Sequence, residues 1–197
     1  MEGIVKERAV NPEPKKKHIV YAEDDRLSVR VLLLMRIPPL IAGLLLGIGL
    51  SFLTSRFEEV IAVSPQVAFF IPFVVYMADA VGGQTQSIYI RDLRSGRARF
   101  KDYLLKETAL GIILGTFCGA VSWFAVWAWF DGVRLANAVG LSMFVAIMLA
   151  PLVALLVAEL LELERRDPAV GAGPITTVIQ DGISVAIYGI IATMLIL

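Results

Sequence analysis

Cysteine and histidine each occur only once in the 197-residue sequence. The single cysteine, Cys118, excludes a disulfide within the chain and says nothing about the redox compartment. The single histidine, His18, lies in a basic segment without a second ligand at metal spacing, which argues against a zinc site. A Walker loop, a nucleophile elbow and an HExxH motif are also missing, so we do not expect a hydrolytic or ATP-driven enzyme.

Charged residues are absent from four long stretches, although they make up 18% of the chain. These stretches are 37–55, 60–78, 108–130 and 135–158. Each can cross the hydrocarbon core of a bilayer, which takes about 20 residues. A fifth stretch, 168–197, is also long enough and contains only one charged residue, Asp181. The pattern predicts an all-α integral membrane protein with five transmembrane helices.

The Lys and Arg residues indicate the orientation, because they accumulate in the cytoplasmic loops of membrane proteins. Of the 18, seven lie in residues 1–30, six lie in residues 91–106, and two follow the fourth stretch at 165–166. We therefore expect a multi-pass protein of the cell membrane with its N-terminus in the cytoplasm and its C-terminus outside. Residues 1–30 are predicted to be a short cytoplasmic tail, and residues 31–197 a five-helix transmembrane domain.

Two acidic residues, Asp79 and Asp181, are predicted to lie deep in the membrane. Asp79 precedes Arg91 by twelve positions and Asp181 follows Asp167 by fourteen, which places each about 18–21 Å from a cytoplasmic loop. A buried carboxylate is costly without a partner, yet spans three and five contain no Lys or Arg. We expect both acids to face water or a cation. A protonated carboxyl bonded to a backbone carbonyl is the alternative.

In span five, Gly173, Thr177 and Asp181 are four residues apart, so they share one face of a helix. Small and polar groups in one stripe are typical of a helix with one wet side. Tight packing of a neighbouring helix against the small residues is the alternative interpretation.

Two adjacent glycines, Gly82 and Gly83, follow Asp79 in the stretch MADAVGGQTQ. The 31 residues from 60 to 90 contain only one charge. As one straight helix they would be about 46 Å long, against a hydrocarbon core of about 30 Å. We expect the helix to kink or unwind at the glycines, or to admit another backbone closely. Freed carbonyls there, beside the amide of Gln84, would suit a hard cation.

The stretch MADAVGGQTQSIYIRDL resembles the second-helix signature of the MgtE magnesium channels. That signature reads GGNxGxQ and is followed by a polar and β-branched run that ends in Arg. Gln84 and Arg91 keep the spacing of seven, and Gly82 matches the glycine between the Asn and the Gln. The Asn itself falls on Ala80, beside Asp79, so the polar group is shifted by one position.

The stretch DPAVGAGPITTVIQD at 167–181 is similar to a second MgtE signature, DPA-x-x-S-G/N-P, in which an Asp follows the proline by seven positions. Pro174 and Asp181 keep that interval. The resemblance covers roughly residues 30–197 and implies a homodimer with a cation pathway between helices two and five of both subunits. It also implies that Asp181 binds hydrated magnesium and that Gly173 and Thr177 line the same wall.

We therefore predict a divalent-cation channel or transporter rather than an enzyme. Asp181 and Asp79 are the expected metal ligands, and the expected pore-lining residues are Gly173, Thr177, Gly82, Gly83 and Gln84. The expected partners are a second copy, the lipid bilayer and a divalent cation, without nucleic acid. Two alternatives are a cation exchanger coupled to Na⁺ or H⁺, and a non-conducting membrane partner subunit with the same fold.

Magnesium is the expected ion and pore ligand, because Mg²⁺ keeps much of its water and needs few carboxylates. Calcium would usually recruit more direct ligands. Manganese and cobalt ions bind similar oxygen ligands, so they remain alternative transported ions.

Overall fold

In a computed structural model, residues 27–163 and 168–197 are described, the latter range with side chains from residue 173 onward. The described chain is all-α, as predicted. Its helices are α1 (Val29–Ser55), α2 (Glu58–Val63), α3 (Gln66–Arg94), α4 (Phe100–Phe130), α5 (Val133–Leu163) and α6 (Pro168–Ile196). The predicted tail at 1–30, the basic pair at 165–166 and Asp167 lie wholly or mostly outside the described residues.

Five of these helices are long and apolar enough to cross a membrane, which confirms the predicted number of spans within the described ranges. Only the six-residue α2 is too short. Helices α4 and α5 have 31 residues each and would be about 46 Å long, so they extend beyond a hydrocarbon core of about 30 Å. The chain is a multi-pass membrane protein.

The second span begins later than its apolar run predicts. The start of that run belongs to α2, and Ser64 and Pro65 separate α2 from α3. Ser64 Oγ donates a hydrogen bond of 3.0 Å to Gln66 Oε1 at this break. The run of 31 residues expected in one helix is therefore divided, and the span starts at Gln66 rather than at Val60.

Helix α5 is the centre of the bundle, because it packs against α3, α4 and α6. Many of its buried side chains are small, which lets the neighbouring helices approach closely. These small residues are Ala136, Ala138, Gly140, Ser142, Ala146, Ala150, Ala154 and Ala158. The bundle is thus organised around a helix with little side-chain volume.

The contact between α4 and α5 is made through backbone. Three glycines of α4, Gly111, Gly115 and Gly119, are four residues apart on its buried face. A Cβ atom at any of them would lie 2.7–2.8 Å from a carbonyl oxygen of α5. Real Cβ atoms do not come so close to oxygen, so only glycine fits, and the two helices are held together along most of their length.

Contacts along the chain give the relative directions of the helices. Gly82 of α3 lies against Ala150 of α5, and Tyr89 bonds to Glu159 about two turns further along both helices. Helices α3 and α5 therefore run in parallel. Tyr188 of α6 donates a 2.9 Å hydrogen bond to the carbonyl of Val67, at the start of α3, so α6 runs antiparallel to both.

Helix α1 is peripheral. It packs mainly against α6 and has no buried residue, in contrast to every other helix long enough to span. A Cβ atom on Gly43 would lie 3.7 Å from Pro174 of α6, at ordinary contact distance. In a bilayer most of the surface of α1 is consequently available to lipid or to another chain.

The orientation of the bundle is testable at two loops at opposite ends of α4. We expect Arg97 to face the cytoplasm and Gly132 to face outside, because Lys and Arg residues cluster around Arg97. The test uses a Cys118→Ser background, in which Arg97→Cys or Gly132→Cys is labelled with an impermeant thiol reagent in intact cells. Labelling at Gly132→Cys alone is expected. Labelling at Arg97→Cys alone would show that the protein has the opposite orientation, and equal labelling at both positions would indicate insertion in both orientations.

Candidate functional site

One face of α3 presents polar groups at the surface of the chain. Gly83, Gln84 and Ser87 are exposed there, in the middle and later part of the helix. A Cβ atom on Gly83 would meet nothing within 4 Å, and Ser87 Oγ donates a 2.8 Å hydrogen bond to the Gly83 carbonyl. Polar groups at this depth are unfavourable against lipid tails, so this face suits water or a second protein surface.

The two adjacent glycines of α3 lie on different faces. Gly82 is buried, and a Cβ atom there would lie 3.3 Å from the carbonyl oxygen of Ala150. Helix α3 is continuous through both glycines, so the unwinding and the freed carbonyls expected from the sequence are not found. Close approach of another backbone, the other expectation, is what the structure shows at Gly82. Only Gly83 reaches the exposed face.

The two acids predicted in the membrane lie on two helices that pack against each other, α3 and α6. Asp79 of α3 and Asp181 of α6 are close enough for their carboxylates to repel each other electrostatically. Both are half-buried, and neither forms an ion pair with a described basic residue. Two like charges in a poorly solvated place favour a cation between them. The pair thus has the sign and chemistry of a cation site.

The predicted stripe on α6 is present as one face of a continuous helix. Gly173, Thr177 and Asp181 are all half-buried, and a Cβ atom on Gly173 would meet nothing within 4 Å. Since no side chain is packed tightly over Gly173 within the described chain, the helix-packing interpretation of this stripe is not supported there. Together with Gly83 and Gln84 of α3, the stripe outlines an open polar surface, which we call the polar face.

Within the described residues, no group of three or more His, Cys, Asp or Glu side chains is arranged to hold a metal ion. One chain therefore offers two carboxylates, with hydroxyl and amide groups nearby. This set could not replace most of the water around a divalent cation. It is suited to an ion that keeps its water shell, as Mg²⁺ does.

Hydroxyl groups bind three further carboxylates toward the Arg94 end of α3, which is predicted to be cytoplasmic. Thr85 Oγ1 donates a 2.7 Å hydrogen bond to the buried Glu107 of α4. Tyr89 OH donates to Glu159 of α5. In addition, Tyr103 OH of α4 donates a 2.6 Å hydrogen bond to Asp92, which also accepts from Arg91 Nε at 3.1 Å. These bonds fasten α3 to both α4 and α5.

Sequence reasoning missed Glu107 and its partner. The charge-free stretch starts at residue 108, which predicts Glu107 in the preceding loop, whereas α4 already starts at Phe100. A signal was present: Glu107 lies four residues before Gly111, so both lie on the glycine face of α4. A second missed set is the buried pair Thr176 and Gln180 on α6, while Ser184 and Tyr188, expected to continue the stripe of Asp181, are also buried.

A known protein family matches the chain over the helices that carry the polar face. The family model MgtE, described as a divalent cation transporter, matches residues 71–191, which is more than half of the chain. This chain belongs to the MgtE family. The matched region contains most of α3 and α6, all of α4 and α5, and both Asp79 and Asp181. MgtE proteins are transporters, so the expectation that the chain is not an enzyme is confirmed.

Three curated relatives carry the name Magnesium transporter MgtE. The protein from Enterococcus faecalis is 31% identical over 162 residues, which cover 81% of this chain and 36% of the relative. The Bacillus subtilis protein is 27% identical over 164 residues, covering 82% and 36%, and the Thermus thermophilus protein is 27% identical over 187 residues, covering 90% and 39%. The chain thus spans little more than a third of the length of these MgtE relatives.

Replacing Glu107 tests whether its hydrogen bond or its charge stabilises the bundle. Glu107→Gln keeps an acceptor for Thr85, whereas Glu107→Leu leaves that hydroxyl buried without a partner. We expect Glu107→Leu to reduce the free energy of unfolding by about 1–3 kcal/mol, and Glu107→Gln by clearly less. Unfolding of the purified proteins in detergent is the measurement, with Thr85→Val as the matching change on α3. Equal losses for Gln and Leu would show that the charge matters instead.

Proposed function

We propose that this chain forms a pathway for a divalent cation, with Mg²⁺ as the ion, between α3 and α6 of two copies. The observation that carries the proposal is that Asp79 and Asp181 lie on packed helices, α3 and α6, and neither has a described basic partner. Membership of a family of divalent cation transporters and the names of its magnesium-transporting relatives support the same ion class.

A second copy would enclose the polar face. Gly83, Gln84 and Ser87 are exposed in one chain, although they lie where lipid would otherwise contact the helix. A two-fold axis through this surface brings each residue opposite its own copy. Two acids per chain then become four carboxylates around one path, which supplies negative charge without any further residue.

Magnesium fits this arrangement better than a cation that needs many direct protein ligands. Two carboxylates, the Thr177 hydroxyl and the Gln84 amide can accept hydrogen bonds from, or replace, a few of the waters on Mg²⁺. The open positions at Gly83 and Gly173 leave room for an ion with its water shell. Manganese and cobalt are the relevant competitors, because they accept similar oxygen ligands.

Removal of the charge on Asp181 is the direct test of the pathway. We expect Asp181→Asn to lower Mg²⁺ uptake into proteoliposomes by at least about tenfold, equivalent to about 1.4 kcal/mol, because a principal ligand loses its charge. Asp79→Asn should have a smaller effect in the same direction. The matched control is Asp102→Asn, since Asp102 is exposed and pairs with the exposed Arg99, at 3.5 Å.

Uptake should be measured with and without a membrane potential, and with Na⁺ or pH gradients. Flux that follows the potential alone supports a channel, whereas flux that requires a gradient of Na⁺ or H⁺ indicates an exchanger. Unchanged uptake by Asp181→Asn would remove this residue from the pathway. Absence of flux in the folded wild-type protein would contradict the proposal and favour a non-conducting membrane partner.

The adjacent glycines offer a matched pair of substitutions. Gly82→Val should destabilise the single chain, because its side chain would collide with the Ala150 carbonyl. Gly83→Val should leave thermal stability nearly unchanged and still reduce uptake, because its side chain would enter the open space on the polar face. Thermal unfolding and liposome uptake are compared for both variants. Full uptake by Gly83→Val would place Gly83 outside the pathway.

A further inference from the structure

Three deeply buried polar atoms have no hydrogen-bond partner in the described part of the chain: Ser142 Oγ, Thr176 Oγ1 and Gln180 Oε1. Ser142 and Gln180 are 0% exposed and Thr176 is 3% exposed. Folded proteins rarely leave such atoms unpaired, and a lipid environment offers no substitute partner. Atoms of this kind in a folded protein are usually bound by water or another ligand.

Other hydroxyls of this protein show how unusual the two unpaired ones are. Most threonines in its helices donate a hydrogen bond to the carbonyl four residues earlier; these are Thr54, Thr108, Thr116 and Thr193. That bond is available to nearly any helical Ser or Thr. Ser142 and Thr176 do not make it, although both are buried.

The three residues lie on neighbouring surfaces of α5 and α6. Ser142 is two residues from Phe144, so it points away from the α4 contact and into the rest of the bundle. Thr176 and Gln180 are four residues apart on the buried face of α6, and α6 packs against α5. All three side chains thus belong to the interior of a single chain.

Two of the three residues, Ser142 and Gln180, lie at a similar depth, and Thr176 lies about 6 Å from Gln180 toward the start of α6. Ser142 is eight residues before Ala150, hence about 12 Å from the Gly82 contact toward the Gln66 end of α3. Gln180 is eight residues before Tyr188, which bonds to Val67, so Gln180 lies about 12 Å from that end contact. Because Val67 and Gly82 are about 22 Å apart along α3, Ser142 and Gln180 fall within about one helical turn of each other.

The chemistry of the three groups suits water. Gln180 Nε2 donates a 3.2 Å hydrogen bond to Ser184 Oγ, which leaves Oε1 as an acceptor without a donor. The hydroxyls of Ser142 and Thr176 can each donate and accept. One water molecule can donate to the amide oxygen and accept from a hydroxyl, and buried waters typically make about three such bonds. None of the three groups is charged, so a divalent cation is not favoured here.

We propose that Ser142, Thr176 and Gln180 bind ordered water between α5 and α6 inside each chain, separately from the polar face. Gln180 precedes Asp181, and Thr176 precedes Thr177, so the water-binding row and the acidic stripe are adjacent rows of one helix. Bound water connects Thr176 and Gln180 of α6 to Ser142 of α5 by hydrogen bonds. It thereby holds α6 in the rotation that directs Asp181 toward α3.

Isosteric substitutions distinguish a hydrated site from a dry one. Thr176→Val and Ser142→Ala remove one hydroxyl each with little change of shape. With bound water, each should lower the melting temperature by about 2–4 °C, because the water and its other ligands lose a partner. In a dry site the same changes remove an unpaired buried group, so an unchanged or higher melting temperature would overturn the proposal. Thr176→Ser retains a hydroxyl and should restore most of the loss.

A shared water also predicts coupling between the two helices. The double variant Ser142→Ala with Gln180→Leu should lose less stability than the sum of the single losses, because one water serves the hydroxyl and the amide oxygen. Thr116→Val is the control, since its hydroxyl already bonds to the Ile112 carbonyl on the exposed side of α4. It should combine additively with Ser142→Ala. Additive losses for the Ser142 and Gln180 pair would contradict a shared ligand.

Hydroxyl-radical footprinting gives a readout that does not depend on stability or on transport. Met143 is 0% exposed and adjacent to Ser142, so radicals formed from bulk water cannot reach it. Radicals formed from bound water should oxidise Met143 in the folded protein, and the double variant should lose that signal. No oxidation of Met143 in wild type would overturn the proposal. A melting temperature that depends on Na⁺ at constant ionic strength would also overturn it, in favour of a monovalent cation.

Discussion

The need to pair every polar group inside a bilayer is the constraint on which the rest of this structure depends. Lipid tails cannot accept or donate hydrogen bonds, so each buried hydroxyl, amide and carboxylate requires a partner within the protein. Glu107 and Glu159 meet this need through Thr85 and Tyr89. Asp79 and Asp181 have no such partner among the described residues of one chain. Glu107 and Glu159 therefore have a structural role, whereas Asp79 and Asp181 are available to bind an ion.

Close packing makes that division of roles possible. The glycines of α4 place its backbone directly against α5, and the small residues of α5 bring α3 and α6 within reach of each other. Bulky side chains on α5 would move those two helices apart, together with the acids they carry. The arrangement of the polar face is therefore determined by the small residues of α4 and α5, which do not line the proposed ion path.

Composition and periodicity were sufficient to predict the five spans, because charge-free runs long enough for a bilayer are rare in helices that do not cross one. The spacing of Gly173, Thr177 and Asp181 predicted their common face, because helical geometry alone places residues four apart on one side. The break at Ser64 and Pro65, the separate faces of the adjacent glycines and the burial of Glu107 depend on contacts between helices. Such contacts join residues distant in sequence, so local signals such as Pro65 or the spacing of Glu107 and Gly111 are too weak to specify them.

Helix α3 is one uninterrupted rod from Gln66 to Arg94, and this continuity has a mechanical consequence. Rigid helices transmit rotation from one end to the other. A turn of α3 that swung Asp79 away from Asp181 would have to break the bonds from Thr85 and Tyr89 and the bond to Asp92 at the same time. Helix α3 is therefore the fixed element of the bundle, whereas α1, which has no buried residue and packs mainly against α6, is held by fewer contacts within the chain.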